Sequence, residues 1–266
     1  GGKVVVSFPL RRSPLVETAL EIIDSGKIGT IEHAQVVNNV NYGGVYYHNW
    51  YRNEAETGGL FLQKATHDFD YAFSLIRKKP VEICAMESKR IFKGDRPDID
   101  CSECEEYYSC YESPYVIKHI CGDWSHGTKC CFSHATGNHD SASAIIRFED
   151  GSHMTYSQNF FVRRGAGKRG AVLMGYDGTI SFDWQSSEIR VNLHHTPREE
   201  IYKVDTSRFS DHGGGDIALI RNFYGVMLGT EESKSPLDAG ILSALVCLCA
   251  AKSAKTNQYV RIEYDD

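Results

Sequence analysis

No run of apolar residues in this 266-residue chain is long enough to cross a bilayer; the longest, Gly240 to Ala251, suits a buried helix. Positive charge is also scarce, with 29 lysines and arginines against 35 acidic residues, and the formal charge of −6 opposes a nucleic-acid partner. No secretory leader is visible. The first residue need not be a natural N-terminus, so this bears only weakly on compartment, and a cytoplasmic protein is the expectation. What the chain does have is 41% hydrophobic residues, enough for a sizeable core in one domain or one and a half.

Cap and turn residues divide the chain. Ser13 and Pro14 read as N-cap and first residue of a helix over 13–25, with Leu15, Ala19, Ile22 and Ile23 on its buried side and Gly26 as its stop. Val36 to Val40 and Val81 to Met86 are strand-like, and alternating segments follow at 142–148, 152–162, 170–175, 178–183, 188–193 and 200–204. Turns at Glu149-Asp150-Gly151 and Asp177-Gly178 make successive antiparallel neighbours the expectation. Helices near 214–229 and 236–255 close the chain. The expected class is α+β: a large, mixed, mostly antiparallel open sheet with helices packed on one face.

Residues 58–70, GGLFLQKATHDFD, concentrate the chemistry. Phe61, Ala65, Phe69, Ala72 and Ile76 share one apolar stripe at helical spacing, while Gln63, Lys64, His67, Asp70 and Ser74 fall on the other side. His67, with Lys64 three residues before it and Asp70 three after, is placed for proton transfer, because an unperturbed imidazole titrates at about 6.5. Asp70 would orient or charge-balance the ring. The plainer alternative is a solvated polar face, with Lys64 paired to Asp68 one turn on. Gly58 and Gly59 let backbone or ligand come close to the helix start.

Gly165, Gly167 and Gly170 spell GxGxxG, but a phosphate-binding loop needs a helix after it, and here a strand follows. A wide hairpin tip is expected instead, with Arg163, Arg164, Lys168 and Arg169 as a solvated basic cluster or a subunit contact. An insert at about 92–133 is rich in cysteine, charge and aromatics. Cys101, Cys104 and Cys110 run as C-x2-C-x5-C, with Cys121, Cys130 and Cys131 beyond. Thiolates at this spacing can share a tetrahedral zinc, whose fourth ligand would come from the later cysteines or a histidine such as His126, with Cys130 the expected one; disulfides or unpaired thiols are the alternatives. Cys84, Cys247 and Cys249 sit among apolar residues and read as core.

The GGLFLQKATHDFD segment resembles the start of the catalytic helix in the glucose-fructose oxidoreductase, inositol dehydrogenase and rhizopine-catabolism (Gfo/Idh/MocA) family. VVVSFPLRRSPLVETALEIIDSGKIGTIEHAQV, VLMGYDGTISF and the two closing helices resemble the rest of that family's C-terminal half, in order. A related branch carries a similar cysteine-bearing insert, whose later strand KCCF resembles. The resemblance implies the substrate-binding half of an NAD- or NADP-dependent oxidoreductase acting on a small carbohydrate or polyol, with His67 taking the hydroxyl proton. Its nucleotide-binding (Rossmann) domain would precede residues 1–8, which look like the first strand after it, and residues 1–266 would form the C-terminal domain. The isolated chain is then expected to be inactive. Lys64 would contact a substrate hydroxyl, while Gln63, Asn49, Trp50 and Arg52 would help hold the sugar. Gln63 stands where better-known members have an aspartate, and an amide cannot take a proton at neutral pH. The resemblance also implies a homo-oligomer joined through the sheet face. A redox-neutral glycosidase or epimerase with retained NAD, a non-catalytic carbohydrate-binding or scaffold subunit, and a metal-dependent module built on the insert stay open as alternatives.

Overall fold

A computed structural model describes residues 2–205 and 212–264. Helix α1 (Pro14–Asp24) begins where the sequence sets it: Pro14 occupies the first turn, and the Ser13 hydroxyl accepts from the Val16 amide at 3.4 Å. Strand β1 (Ile31–Asn39) follows, then two single-turn helices, α2 (Val45–His48) and α3 (Glu54–Thr57). Gly58 and Gly59 hold positive φ of 74° and 81°, a backbone that glycine adopts freely and that turns the chain out of α3. A π-helical turn, Phe61–Ala65, then runs directly into α4 (Thr66–Ile76).

Next come β2 (Pro80–Ser88), the insert, and six strands: β3 (Ser141–Phe148), β4 (His153–Asn159), β5 (Lys168–Gly175), β6 (Gly178–Asp183), β7 (Glu188–Leu193) and β8 (Glu199–Lys203). Helices α5 (Gly215–Leu228) and α6 (Leu237–Thr256) and the short β9 (Val260–Arg261) complete the described chain. All nine strands form one sheet in the order β8-β7-β6-β5-β1-β4-β3-β2-β9. Every pairing is antiparallel except β1 with β4, where Val36 lies opposite Tyr156. Period-two alternation sends Val36, Ile83, Ile146, Met154, Leu173 and Val191 into one core with α1, α4 and α6. Each such side chain contributes roughly 1.5–3 kcal/mol on burial. The other face stays open and polar, with Gln35, Thr155, Ser157, Ser181 and Arg190 along a groove of about 590 Å³. The α+β class expected from the sequence is the one observed.

Four expectations are corrected. Residues 2–8 form no strand; they run between α5 and α6, held where the Val6 amide donates to Ser235 O at 2.8 Å. Strands β4 and β5 are not a hairpin, because β1 lies between them and pairs with both. The polar side of α4 is not solvated: Lys64, Asp68 and Asp70 are 6%, 0% and 1% exposed, since the helix is enclosed on that side too. The apolar run near the C-terminus belongs to a longer helix: α6 has 20 residues, with a mean hydropathy of 1.6 over its most apolar stretch, and by length and composition alone it would cross a bilayer. Its contacts place it on the sheet instead. Ser243 Oγ donates to Thr66 O at 2.6 Å, and Ser253 Oγ accepts from the Ala85 amide at 2.9 Å.

The insert has its own support. Phe92 and Cys131 join Val40, Tyr46, Tyr47, Leu60 and Phe160 in a second, smaller core, and single bridges tie Arg96 to Ser133 and Asp100 to Lys129. These contacts set it against α2 and the loop after it.

Candidate active site

The helix start around His67 gathers charge in a nearly dry environment. A π-helical turn carries one extra residue per turn and often marks a functional site; here it delivers Lys64 toward the segment after β1. Lys64 Nζ donates to Tyr42 Oη at 2.5 Å and sits 4.9 Å and 5.8 Å from the ring centres of Tyr42 and Tyr46. Burial, together with the Arg169 charge, lowers the Lys64 pKa. Burial opposes ionisation of Tyr42, but Lys64 and Arg169 outweigh it and hold the hydroxyl below its usual value.

Asp68 anchors this group from within the core. Its Oδ2 accepts from Asn38 Nδ2 at 2.7 Å and from Tyr156 Oη at 2.8 Å, while Oδ1 accepts from Arg169 Nε at 2.8 Å and forms an ion pair with the same guanidinium, whose Nη2 lies 2.6 Å away. Arg169, expected to be solvated, is thus a buried structural cation. His67 lies beside these charges with the Phe8 ring edge-on to it, centroids 5.4 Å apart. Burial first, then the Arg169 and Lys64 charges, push its pKa down to about 4. A neutral imidazole follows at any pH where the protein would work, and a neutral imidazole can accept a proton.

A cleft of about 590 Å³ opens alongside, lined by Asn38, Asn41, Tyr42, Arg169, Trp184 and His212 among others. The Trp184 indole N–H is buried without a partner, and so is Gln63 Oε1. Of the two, Trp184 lines the cleft, where its N–H can meet a ligand hydroxyl. Asp70 faces away from this cluster: Arg11 Nε donates to its Oδ2 at 2.8 Å, and burial raises its pKa to about 7 against the pull of Arg11. It therefore pairs with Arg11 and does not orient His67. The loop after α2 turns its polar groups to the insert, Asn49 Nδ2 donating to His126 O at 3.2 Å and Arg52 Nη1 meeting Asp98 at 2.8 Å. Trp50 is exposed and stacked on Tyr51. Tyr42, Asn38 and Trp184 went unsingled in the sequence, and Arg169 and Asp68 were read there as a solvated charge and a helix-surface partner of Lys64; the polar pair Asn38-Asn39 directly after Val36-Val37 was the available signal.

In the insert, Cys101, Cys104, Cys110 and Cys130 line one narrow cleft together with His48, Glu112 and Cys131. Burial pushes the Cys101 thiol up to about 12 and raises that of Cys130.

The sequence profile of the GFO/IDH/MocA C-terminal domain matches residues 16–181. The chain belongs to the Gfo/Idh/MocA family. A Bacillus subtilis (strain 168) protein named as an oxidoreductase, YteT, is 26% identical, with 84% of this chain and 60% of that protein aligned. Among solved structures, an oxidoreductase domain protein from Kribbella flavida superposes with a TM-score of 0.74 at 13% identity, covering 98% of this chain and 66% of that one. Levoglucosan dehydrogenase in complex with NADH and levoglucosan gives 0.72 at 16% identity, covering 99% and 67%. A myo-inositol dehydrogenase-like structure from Sinorhizobium meliloti 1021 gives 0.68 at 17%, covering 98% and 66%. These likenesses establish a shared Gfo/Idh/MocA fold. The chain spans about three fifths of the YteT length.

Proposed function

We propose that this chain is the substrate-binding and catalytic half of an NAD(P)-dependent oxidoreductase acting on a sugar or polyol hydroxyl. The observation that carries the reading is a neutral, partly buried His67 near the Lys64–Tyr42 pair, with a polar and aromatic cleft bordering Tyr42 and Arg169. His67 takes the hydroxyl proton as the carbon loses its hydride, so that a free alkoxide never builds up. Lys64 and Tyr42 hold the hydroxyl oxygen and stabilise its developing charge. Trp184 and Gln63 hydrogen-bond other hydroxyls, and Asn49, Trp50 and Arg52 shape the outer rim through the insert. NAD(P), when bound, supplies the hydride acceptor. Strand β5 directly after Gly167 leaves Gly165, Gly167 and Gly170 no helix N-terminus for a pyrophosphate, so a separate nucleotide-binding domain holds most of the cofactor. The exposed apolar side chains of α5, Ile220, Phe223, Met227 and Leu228, suit cover by such a domain. Full-length protein incubated with NAD or NADP and a panel of sugars and polyols should release reduced cofactor. Substrate conversion with no net reduced cofactor would replace this reading with the redox-neutral one.

The open sheet face joins two copies of the chain in this reading. It is polar along its groove yet exposes Met86 and Ile145 on neighbouring strands, a surface suited to burial against its own copy. Light scattering is expected to find a dimer or larger assembly, and Ile145→Lys should shift it toward monomer. A wild-type monomer at high concentration would refute the interface.

A structural zinc on Cys101, Cys104, Cys110 and Cys130 would stiffen the insert. The four line one cleft, but among the described residues their sulfurs do not form a group within metal reach as His48, Glu112 and Cys131 do, so binding would have to draw them together; four thiolates would then leave no open position for substrate. Cys104→Ser is expected to lose one equivalent of zinc per chain by elemental analysis. An unchanged metal content would leave these residues as ordinary thiols.

A further inference from the structure

Where the insert meets α2, three side chains with no part in the roles above converge. His48, Glu112 and Cys131 each offer a ligand atom, and the three atoms all lie within 4.8 Å of one another. His48 is 2% exposed and Cys131 1%. His48 Nδ1 lies 2.6 Å from the Lys129 carbonyl oxygen, which only an N–H can approach so closely, so the proton sits on Nδ1 and Nε2 keeps its lone pair. That Nε2 is buried and has no hydrogen-bond partner; Glu112 Oε2 stands 3.6 Å away, beyond hydrogen-bond reach. Arg163 Nη2 donates to both Glu112 oxygens at 2.9 Å and steadies the carboxylate from its far side.

We propose that His48 Nε2, Cys131 Sγ and a Glu112 carboxylate oxygen form a binding site for a zinc-class divalent cation, separate from the four-cysteine set. A buried acceptor without a partner is costly, and a cation satisfies all three atoms at once. One nitrogen, one sulfur and one oxygen donor suit zinc or cobalt better than calcium or magnesium, which prefer oxygen alone. The carbonyl behind Nδ1 supplies the outer hydrogen bond that metal-bound histidines ordinarily have. His48 belongs to α2, whereas Glu112 and Cys131 belong to the insert. The cation would therefore lock the insert onto the segment that leads to Asn49, Trp50 and Arg52. The backbones already meet there: the Lys129 amide donates to His48 O at 3.2 Å, and a Cβ on Gly127 would come within 2.4 Å of that same oxygen.

The test is metal content and cobalt titration of the full-length protein, stripped of metal and then given Zn²⁺ or Co²⁺ alone. His48→Gln and Cys131→Ala are compared with Cys104→Ser, with circular dichroism as the check on folding. Cys131→Ala only trims a small buried side chain, so it keeps the test decisive if His48→Gln does not fold. One equivalent lost in His48→Gln or Cys131→Ala beyond any that Cys104→Ser loses, so that a Cys104→Ser/Cys131→Ala double variant holds one equivalent less than Cys104→Ser alone, with loss or weakening of the sulfur-to-cobalt charge-transfer band in Cys131→Ala, is the expected result. Metal retained in both folded variants would overturn the proposal and leave His48 as an ion-pair partner of Glu112. So would a wild-type protein that binds no metal, or one equivalent lost from Cys104→Ser with no further loss in the double variant, which would mean a single shared centre.

Discussion

His67→Gln in the full-length protein is expected to lower kcat by about 100-fold or more while leaving the fold intact, the range typical of losing a positioned general base. Glutamine is close to imidazole in size and keeps a polar group at the start of α4, so a drop of this size would report on proton transfer and not on packing. The pH profile gives a sharper signature. Alcohol oxidation needs the imidazole unprotonated, and burial with the Arg169 and Lys64 charges holds its pKa at about 4. The acid limb of kcat/KM is therefore expected near pH 4, well below the value of about 6.5 for an unperturbed histidine. Lys64→Met removes one of the charges that depress it, so the limb should move up in pH while KM rises. A full-length His67→Gln protein with wild-type turnover would remove His67 from the chemistry.

The reach of sequence reasoning here followed the range of the interactions involved. The strands beyond β2 were legible because alternation is local: 178–183 and 188–193 were placed to the residue. Insertion of β1 between β4 and β5 was not legible, since a parallel pair such as Val36 with Tyr156 joins residues far apart in the chain and has no local turn signal. The same limit hid the roles of charges. Arg169 reads as solvent-facing until its partner, 101 residues earlier, is known, and Asp70 reads as a neighbour of His67 until Arg11 is seen beside it. In the insert the cysteine spacing stood out, whereas His48, one of three side chains that converge there, gave no signal because its partners come from another segment.

Asp68→Ala is expected to destabilise the protein by roughly 3–5 kcal/mol, the cost of leaving one member of a buried charge pair alone. Asp68 is fully buried and satisfies Arg169, Asn38 and Tyr156 together. Alanine leaves the guanidinium with no counter-charge and Asn38 Nδ2 with no acceptor, while Tyr156 Oη keeps only Gln158 Oε1, 3.0 Å away. Asp70 supplies the control two residues on. Burial holds its pKa at about 7, so near neutrality its carboxyl is already protonated for part of the time, and Asp70→Asn replaces it with a neutral group of similar shape. Its loss should be much smaller than that of Asp68→Ala, and smaller also than that of Asp68→Asn, which keeps the shape but removes the charge facing Arg169. Urea unfolding of the variants of the full-length protein, followed by far-ultraviolet circular dichroism, ranks them. Because Arg169 borders both the cleft and His67, a folded Asp68→Asn protein should also turn over more slowly, as the guanidinium is no longer held in place. Equal stabilities for Asp68→Asn and Asp70→Asn would show that the Asp68–Arg169 pair is not the anchor of this site.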